Sequence, residues 1–276
     1  SALKYFFHQE YFNYGDKPAF DITTDVLIDY FEFLKNQDTL SLTTKKSKWI
    51  LLISFLRFCM EYYRKYNFIV VIPKYSINWK GNHSEPKTNK DVVLSIDEVK
   101  SILNYLKIRN FKYYLIFRLF AETGMRKGEL INIDYDNVNI KKRFIKTTGK
   151  TDKKIYYFSN ELGKYLEIFL QERKSNTSTD KALFLSVQNK RFSLRQFNFY
   201  LKQLLKKLNI SKDITCHTFR RSLNTFRKIM GCPNEDRKIL LNHKVRDVNV
   251  DSYVKLNYHE FISLFDKWNP YKEIQI

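Results

Sequence analysis

Six polar residues spread over the last two thirds of the chain have the types needed to cut a phosphodiester. Arg126 lies in Ala121-Glu-Thr-Gly-Met-Arg126-Lys-Gly-Glu129-Leu. Lys150 follows Gly149, 24 residues on. His217 and Arg220 share Cys216-His217-Thr-Phe-Arg220-Arg-Ser, His243 closes Leu240-Leu241-Asn242-His243, and Tyr253 comes ten residues later. A phosphodiester is anionic, and its pentavalent transition state gathers further negative charge on oxygen. Fixed cations must meet that charge, and arginine suits best because its planar fork bonds two oxygens at once. Cutting without a metal also needs a nucleophile, a base to take its proton and an acid to protonate the departing 5′ oxygen. Two Arg, one or two His, a Lys and a hydroxyl make up the required set.

The whole chain is built to meet a polyanion. Its 276 residues carry 49 Lys plus Arg against 29 Asp plus Glu, a formal charge of +20. Counted along the sequence, 13 basic and 9 acidic residues precede position 91, leaving 36 and 20 after it, so the excess is +4 and then +16. Nucleic acid is the expected partner ahead of an acidic membrane. The three cysteines, Cys59, Cys216 and Cys232, are far apart, and no metal-ligand spacing joins them to a histidine, so neither a disulfide framework nor a metal or other cofactor is expected. No signal-peptide pattern opens the sequence, and its most apolar stretch, 49–59, is broken by Arg57 and too short for a bilayer. A cytoplasmic, nucleoid-associated setting with no membrane partner follows.

With 43% hydrophobic residues but only 7 Gly and 5 Pro, the chain should be mainly α with a small antiparallel β-sheet. Helical periodicity covers 25–36, and a longer pattern covers 43–66. In the latter Ile50, Leu51, Ser54, Phe55 and Phe58 form the expected apolar face, interleaved with Lys45, Lys46, Lys48 and Arg57. Polar residues from 75 to 90 read as a linker, giving domains 1–80 and 91–276 joined by 81–90. Ser95 and Glu98 form a capping box for a helix to about 107. Further helices are expected at 111–122, 126–131, 160–174, 193–208, 217–230 and 233–242, with Gly231 as a C-cap. The β-rich runs 143–148 and 154–159 form a hairpin with a basic tip. The end, 248–268, is helical, with a stripe of Phe261, Ile262, Leu264 and Phe265 that suits either a neighbouring protomer or its own core.

The motifs, in this order, resemble those of the tyrosine recombinase (phage integrase) family. The segment around Arg126 resembles its T-G-x-R-x-x-E-L box. Cys216 to Ser222 resembles H-x-L-R-H-S, Leu240 to His243 resembles L-L-G-H, and Lys150 matches the family's hairpin lysine. The likeness runs over about 91–270, while the first domain fits the family's helical core-binding domain only in length, basicity and helix pattern. It implies two domains clamped on double-stranded DNA bearing paired half-sites, and a dimer to tetramer during strand exchange. It further implies that Arg126 and Arg220 hold the scissile phosphate, His243 adds a hydrogen bond, His217 acts as base, Lys150 as acid and Tyr253 as nucleophile. Lys45, Lys46, Lys48, Arg57, Lys153, Arg221 and Arg227 are candidate DNA contacts.

Two departures stand out. Asn242 replaces the usual Gly, although Asn tolerates a left-handed backbone better than most residues. The gap from His243 to Tyr253 is one residue longer than expected, which leaves Tyr258 as a rival, as Lys153 and Lys154 are for Lys150. Taken singly, the pieces have plainer readings. Arg126 and Glu129 fit a surface i,i+3 pair, with Glu129 orienting the arginine rather than reacting. His217 fits a helix-terminal histidine, and Cys216 lacks the third group a thiol nucleophile would need. A type IB-like topoisomerase and a catalytically inactive DNA-binding protein are the other function classes the chain fits. An RNA-binding module lacks its usual motifs.

Overall fold

The structure is a computed structural model that describes residues 2–8, 11–15, 17–73, 92–148, 153–176, 178–242 and 257–272. It divides into two compact units, 1–88 and 89–276. The expected linker lies outside the described residues.

In the first unit, α1 (Ala2–Phe7), α2 (Thr24–Lys35) and α3 (Leu42–Tyr62) enclose an aromatic core. Thr23 caps α2 by accepting from the Val26 amide. Phe6 meets Tyr30 edge-on at 4.9 Å, and Phe31 meets Trp49 at 5.1 Å, geometries that suit ring quadrupoles. The buried face of α3 is not the expected one. Trp49, Leu52, Ile53, Leu56 and Cys59 point inward, while Ile50, Leu51 and Phe58 are each more than half exposed. The run Trp49 to Leu56 is apolar on nearly every side of the helix, so its own periodicity selects no face and the rings of α1 and α2 decide.

That rotation corrects one DNA contact. Lys45 is buried, and its Nζ donates to the carbonyl of Lys35 at 2.7 Å, meeting the negative end of α2. Lys48 is half-buried, with its ammonium 3.4 Å from the centroid of the Tyr5 ring. Lys46 is half-buried too, and Arg57 is exposed.

The second unit is organised around α5 (Phe111–Thr123), in which every residue from Tyr114 to Thr123 is buried. Against it pack α4 (Ile96–Arg109), α7 (Asn160–Lys174) and α9 (Cys216–Ile229). The Ser95–Glu98 capping box forms as expected. A buried carboxylate and guanidinium lie within this core. Glu122 accepts from Arg118 Nε at 2.6 Å and from the amide and hydroxyl of Ser159, tying α5 to the start of α7.

Three antiparallel strands, β1 (Val138–Asn139), β2 (Phe144–Thr148) and β3 (Lys153–Tyr157), form a sheet in that order. Ile145 pairs with Tyr156 and Thr147 with Lys154. Short helices α6 (Lys127–Ile131) and α10 (Asn234–Leu240) and the longer α8 (Leu194–Lys207) complete the unit with α11 (Tyr258–Lys267). Part of the stripe on α11 packs within its own unit. Phe261 stacks on Tyr157 at 4.5 Å, Phe265 is buried, and Asp266 takes two bonds from Arg143 at 3.1 and 2.7 Å.

Removing that last pair leaves a largely buried guanidinium without its carboxylate. Asp266→Ala is expected to cost about 1 to 2 kcal/mol locally, the lower part of the range reflecting the exposed side of Asp266. Hydrogen exchange should show the α11 amides opening about 5- to 30-fold more often. Unchanged protection would mean that the aromatic contacts alone hold the helix.

Candidate active site

The site begins where α5 ends. Gly124 caps the helix with a left-handed backbone, φ +64. A Cβ there would lie 2.8 Å from Leu241 Cδ2 and 3.1 Å from Leu223 Cδ2, so both the turn and the packing require glycine. Two residues on, Arg126 is the N-cap of α6.

Glu129, one turn into α6, is buried and fully engaged. Its Oε2 accepts from the Arg126 amide at 2.6 Å and the Tyr156 hydroxyl at 2.7 Å, and its Oε1 accepts from the Arg126 guanidinium at 3.0 Å. The pair is therefore not a surface ion pair, since the Arg126 side chain is 49% exposed and that of Glu129 only 4%. Burial alone would raise the Glu129 pKa. The hydrogen bonds from the Arg126 backbone, Tyr156 and the Arg126 side chain outweigh it and hold the carboxyl below its ordinary value.

Arg220 comes from the opposite side, on the first turns of α9. It is buried, and its two terminal nitrogens donate to the carbonyls of Gly124 and Leu241, each at 2.7 Å. These anchors fix the plane of the fork. Burial lowers the Arg220 pKa first, Tyr156 opposes that, and the charge of Arg126 lowers it further. The two guanidinium groups thus feel one another and would both gain from an anion between them.

His217 lies at the start of the same helix and is exposed. Partial desolvation first, and then the charges of Arg220, Arg221 and Arg126, hold its pKa below 6.5. The ring is mostly neutral at pH 7 and able to accept a proton. Cys216 beside it is buried, which pushes the thiol up to about 12 and leaves no thiolate.

The structure therefore brings Arg126, His217 and Arg220 together. Lys150, His243 and Tyr253 lie outside the described residues. The chain just before His243 is described. Asn242 has φ +51, the left-handed backbone its type suits. Its side-chain amide donates to the Ile155 carbonyl at 2.8 Å, and its own carbonyl accepts from Lys154 Nζ at 2.8 Å. Lys153 is exposed at the start of β3. Tyr258 sits beside Tyr157, with 6.3 Å between rings. Successive strand residues face opposite sides, so Tyr258 packs across β3 from Tyr156 and the Glu129–Arg126 pair.

Arg227 is corrected as a DNA contact. It is fully buried, its Nε donates to the Trp268 carbonyl at 3.1 Å, and burial pushes its pKa down to about 10. Positions 220, 223 and 227 share one helical face, and that face is the inner one. Arg221 is half-buried and donates to Thr218 Oγ1. Tyr156 was not foreseen as part of the site. Its place on the same strand face as Lys154 was the only signal in the sequence. Among the described residues no group of three His, Cys, Asp or Glu could hold a metal, and no helix is long and apolar enough to cross a membrane.

Comparisons with known proteins bear on the family and the fold. The model of the phage integrase family matches residues 92–260. The tyrosine recombinase XerD of Staphylococcus aureus is 27% identical over 195 residues, 67% of this chain and 65% of that protein. XerD of Staphylococcus saprophyticus is 29% identical over 64% of this chain and 62% of its own length. The chain thus matches just under two thirds of the length of these curated relatives. Three solved structures share the fold. The Tn1549 transposon integrase in complex with transposon right end DNA has a TM-score of 0.65 at 16% identity, covering 92% of this chain and 87% of that one. The XerH site-specific recombinase bound to difH substrate gives 0.62 at 16% identity, covering 95% and 74%. The XerA recombinase gives 0.52 at 22% identity, covering 92% and 86%.

The surroundings of His217 make a direct prediction. Its folded-state pKa is lowered, so the unfolded chain binds the proton more tightly, and acidification through 6.5 removes stability. NMR titration of the ring should give a midpoint below 6.5, and added inorganic phosphate, bringing negative charge to the arginines, should raise it. A midpoint at or above 6.5 in the free protein would contradict the clustering of the three cations.

Proposed function

The chain belongs to the phage integrase family, and from that premise we propose that it is a tyrosine recombinase that cuts and rejoins duplex DNA. The observation that carries this reading is the convergence of Arg126 and Arg220, each fixed by its own anchors, beside a neutral His217. Two fixed forks that repel one another without an anion are suited to one phosphate.

In this reaction Arg126 and Arg220 hold the non-bridging oxygens of the scissile phosphate, and His243 donates a further hydrogen bond to them. His217 takes the phenolic proton of Tyr253 as its oxygen attacks phosphorus. A 3′-phosphotyrosyl bond forms, the bond from phosphorus to the 5′ oxygen breaks, and Lys150 protonates that oxygen. Attack by a 5′-hydroxyl of a partner strand reverses the sequence and releases the tyrosine. The phosphotyrosyl linkage keeps the energy of the phosphodiester, so rejoining draws on no ATP. Removing one such charge-stabilising donor typically costs about 10² to 10³ in rate.

Residues 1–80 act as a core-binding domain, 81–90 as a linker and 91–276 as the catalytic domain, closing together on DNA. Lys46, Lys48, Arg57, Lys153 and Arg221 contact the backbone, whose phosphates the +16 excess after position 91 is there to meet. Strand exchange between two half-site pairs calls for a dimer to tetramer on DNA. The biological setting is the integration or excision of a mobile element, or the resolution of chromosome or plasmid dimers, in the cytoplasm at the nucleoid. XerH bound to difH and the Tn1549 integrase bound to transposon DNA support a DNA substrate for this fold.

The test uses nicked duplex fragments pooled from the source genome, incubated with the protein in EDTA. A denaturing gel should show a covalent protein–DNA adduct, mapped by mass spectrometry to Tyr253 and lost in Tyr253→Phe. An adduct on Tyr258 would replace the nucleophile. Salt-sensitive DNA binding with no adduct would contradict the recombinase reading and favour a binding protein.

A further inference from the structure

Two guanidinium groups repel, so something must hold Arg126 and Arg220 in register before any phosphate arrives. On the Arg126 side, Glu129 bonds both the arginine and Tyr156, which belongs to β3. On the Arg220 side, the fork is fixed on the carbonyls of Gly124 and Leu241. Gly124 leads through Met125 directly back to Arg126. Leu241 leads to Asn242, whose side-chain amide donates to the carbonyl of Ile155, the residue before Tyr156. Followed round, these links close a ring: Arg126, Glu129, Tyr156, Ile155, Asn242, Leu241, Arg220, Gly124 and back to Arg126.

We propose that Asn242 is a positioning residue that closes this ring, tying the turn after α10 to β3 and so setting the spacing of the two arginines. The proposal rests on the recombinase reading for its consequence in catalysis, although the ring itself is defined by described residues alone. Asn242 serves in two ways at once. Its backbone takes the left-handed conformation of the turn, and its side chain makes the cross-link to Ile155. A glycine would supply the first and not the second. Lys154 makes the neighbouring bond, from its ammonium to the Asn242 carbonyl. That bond ends on a flexible stem, whereas the short, planar Asn amide constrains direction as well as distance. Lys154 thus braces the same turn beside the Asn242 amide.

Two variants separate the roles. Asn242→Gly keeps the turn and removes the amide, and Asn242→Asp keeps a residue tolerant of the turn but cannot donate to the Ile155 carbonyl. In a single-turnover assay on nicked DNA, both should cleave about tenfold or more slowly at saturating protein. The concentration giving half-maximal binding should stay within about twofold, because phosphate contacts elsewhere dominate affinity. A second readout is independent of cleavage. The His217 midpoint is lowered in part by both arginines, so relaxation of their spacing should move it towards 6.5 in Asn242→Gly, which adds no charge of its own. Normal cleavage with an unmoved midpoint would overturn the proposal. So would equal losses of cleavage, binding and melting temperature, which would mark Asn242 as merely structural. Should the wild-type protein form no adduct while Asn242→Gly still shifts the midpoint, the ring would stand and the recombinase reading would fall.

Discussion

The candidate site keeps two like charges near enough to act on each other and on His217. Each of the two charges works against the other, a penalty the fold must offset. It does so by giving each guanidinium its own acceptors. Arg126 leans on a buried carboxylate held below its ordinary pKa, and Arg220 leans on two main-chain carbonyls. Neither set of acceptors neutralises both cations, and partial desolvation, reinforced by the field that remains, holds the His217 pKa below its ordinary value. Arginine geometry and the protonation state of His217 are thus one electrostatic problem.

The scaffold follows from that constraint. α5 must end abruptly so that Arg126 can start α6, and glycine at 124 allows the turn while leaving room for Leu223 and Leu241. The β3 strand brings Tyr156 under Glu129 on one face and offers Tyr157 to α11 on the other. One strand therefore supports both the site and the helix that closes the second unit. The buried Arg227 fastens the chain just beyond α11, so a residue expected at the DNA surface contributes instead to holding the tail in place.

What the sequence disclosed was mostly local chemistry. The Ser95 cap, the break at Gly124, the limits of α7 and the left-handed turn at Asn242 each depend on residues within a few positions, and each is legible from residue type. The arginine boxes are legible as a resemblance to the phage integrase motifs, and the structure sets Arg126 at the N-cap of α6 and Arg220 on the first turns of α9. The buried face of α3 was not, because a helix apolar on nearly all sides is oriented by its partners alone. Lys45 and Arg227 misled in a similar way. A positive charge was counted as surface, although one meets a helix C-terminus and the other lies on the same helical stripe as Arg220. Tyr156 depends on a pairing between β2 and β3 and a contact with α6, which no local pattern encodes.

The most direct measurement of the central claim replaces the scissile phosphate of a cleavable nicked duplex with a neutral methylphosphonate. If Arg126 and Arg220 act by meeting phosphate charge, Arg220→Ala should cleave the ordinary substrate about 10² to 10³ times more slowly than the unaltered protein. On the methylphosphonate substrate, which no longer carries that charge, most of the difference should vanish. If Arg220→Ala remained equally impaired on both substrates, the arginine would be acting through structure rather than charge. The electrostatic account of the site would then be wrong.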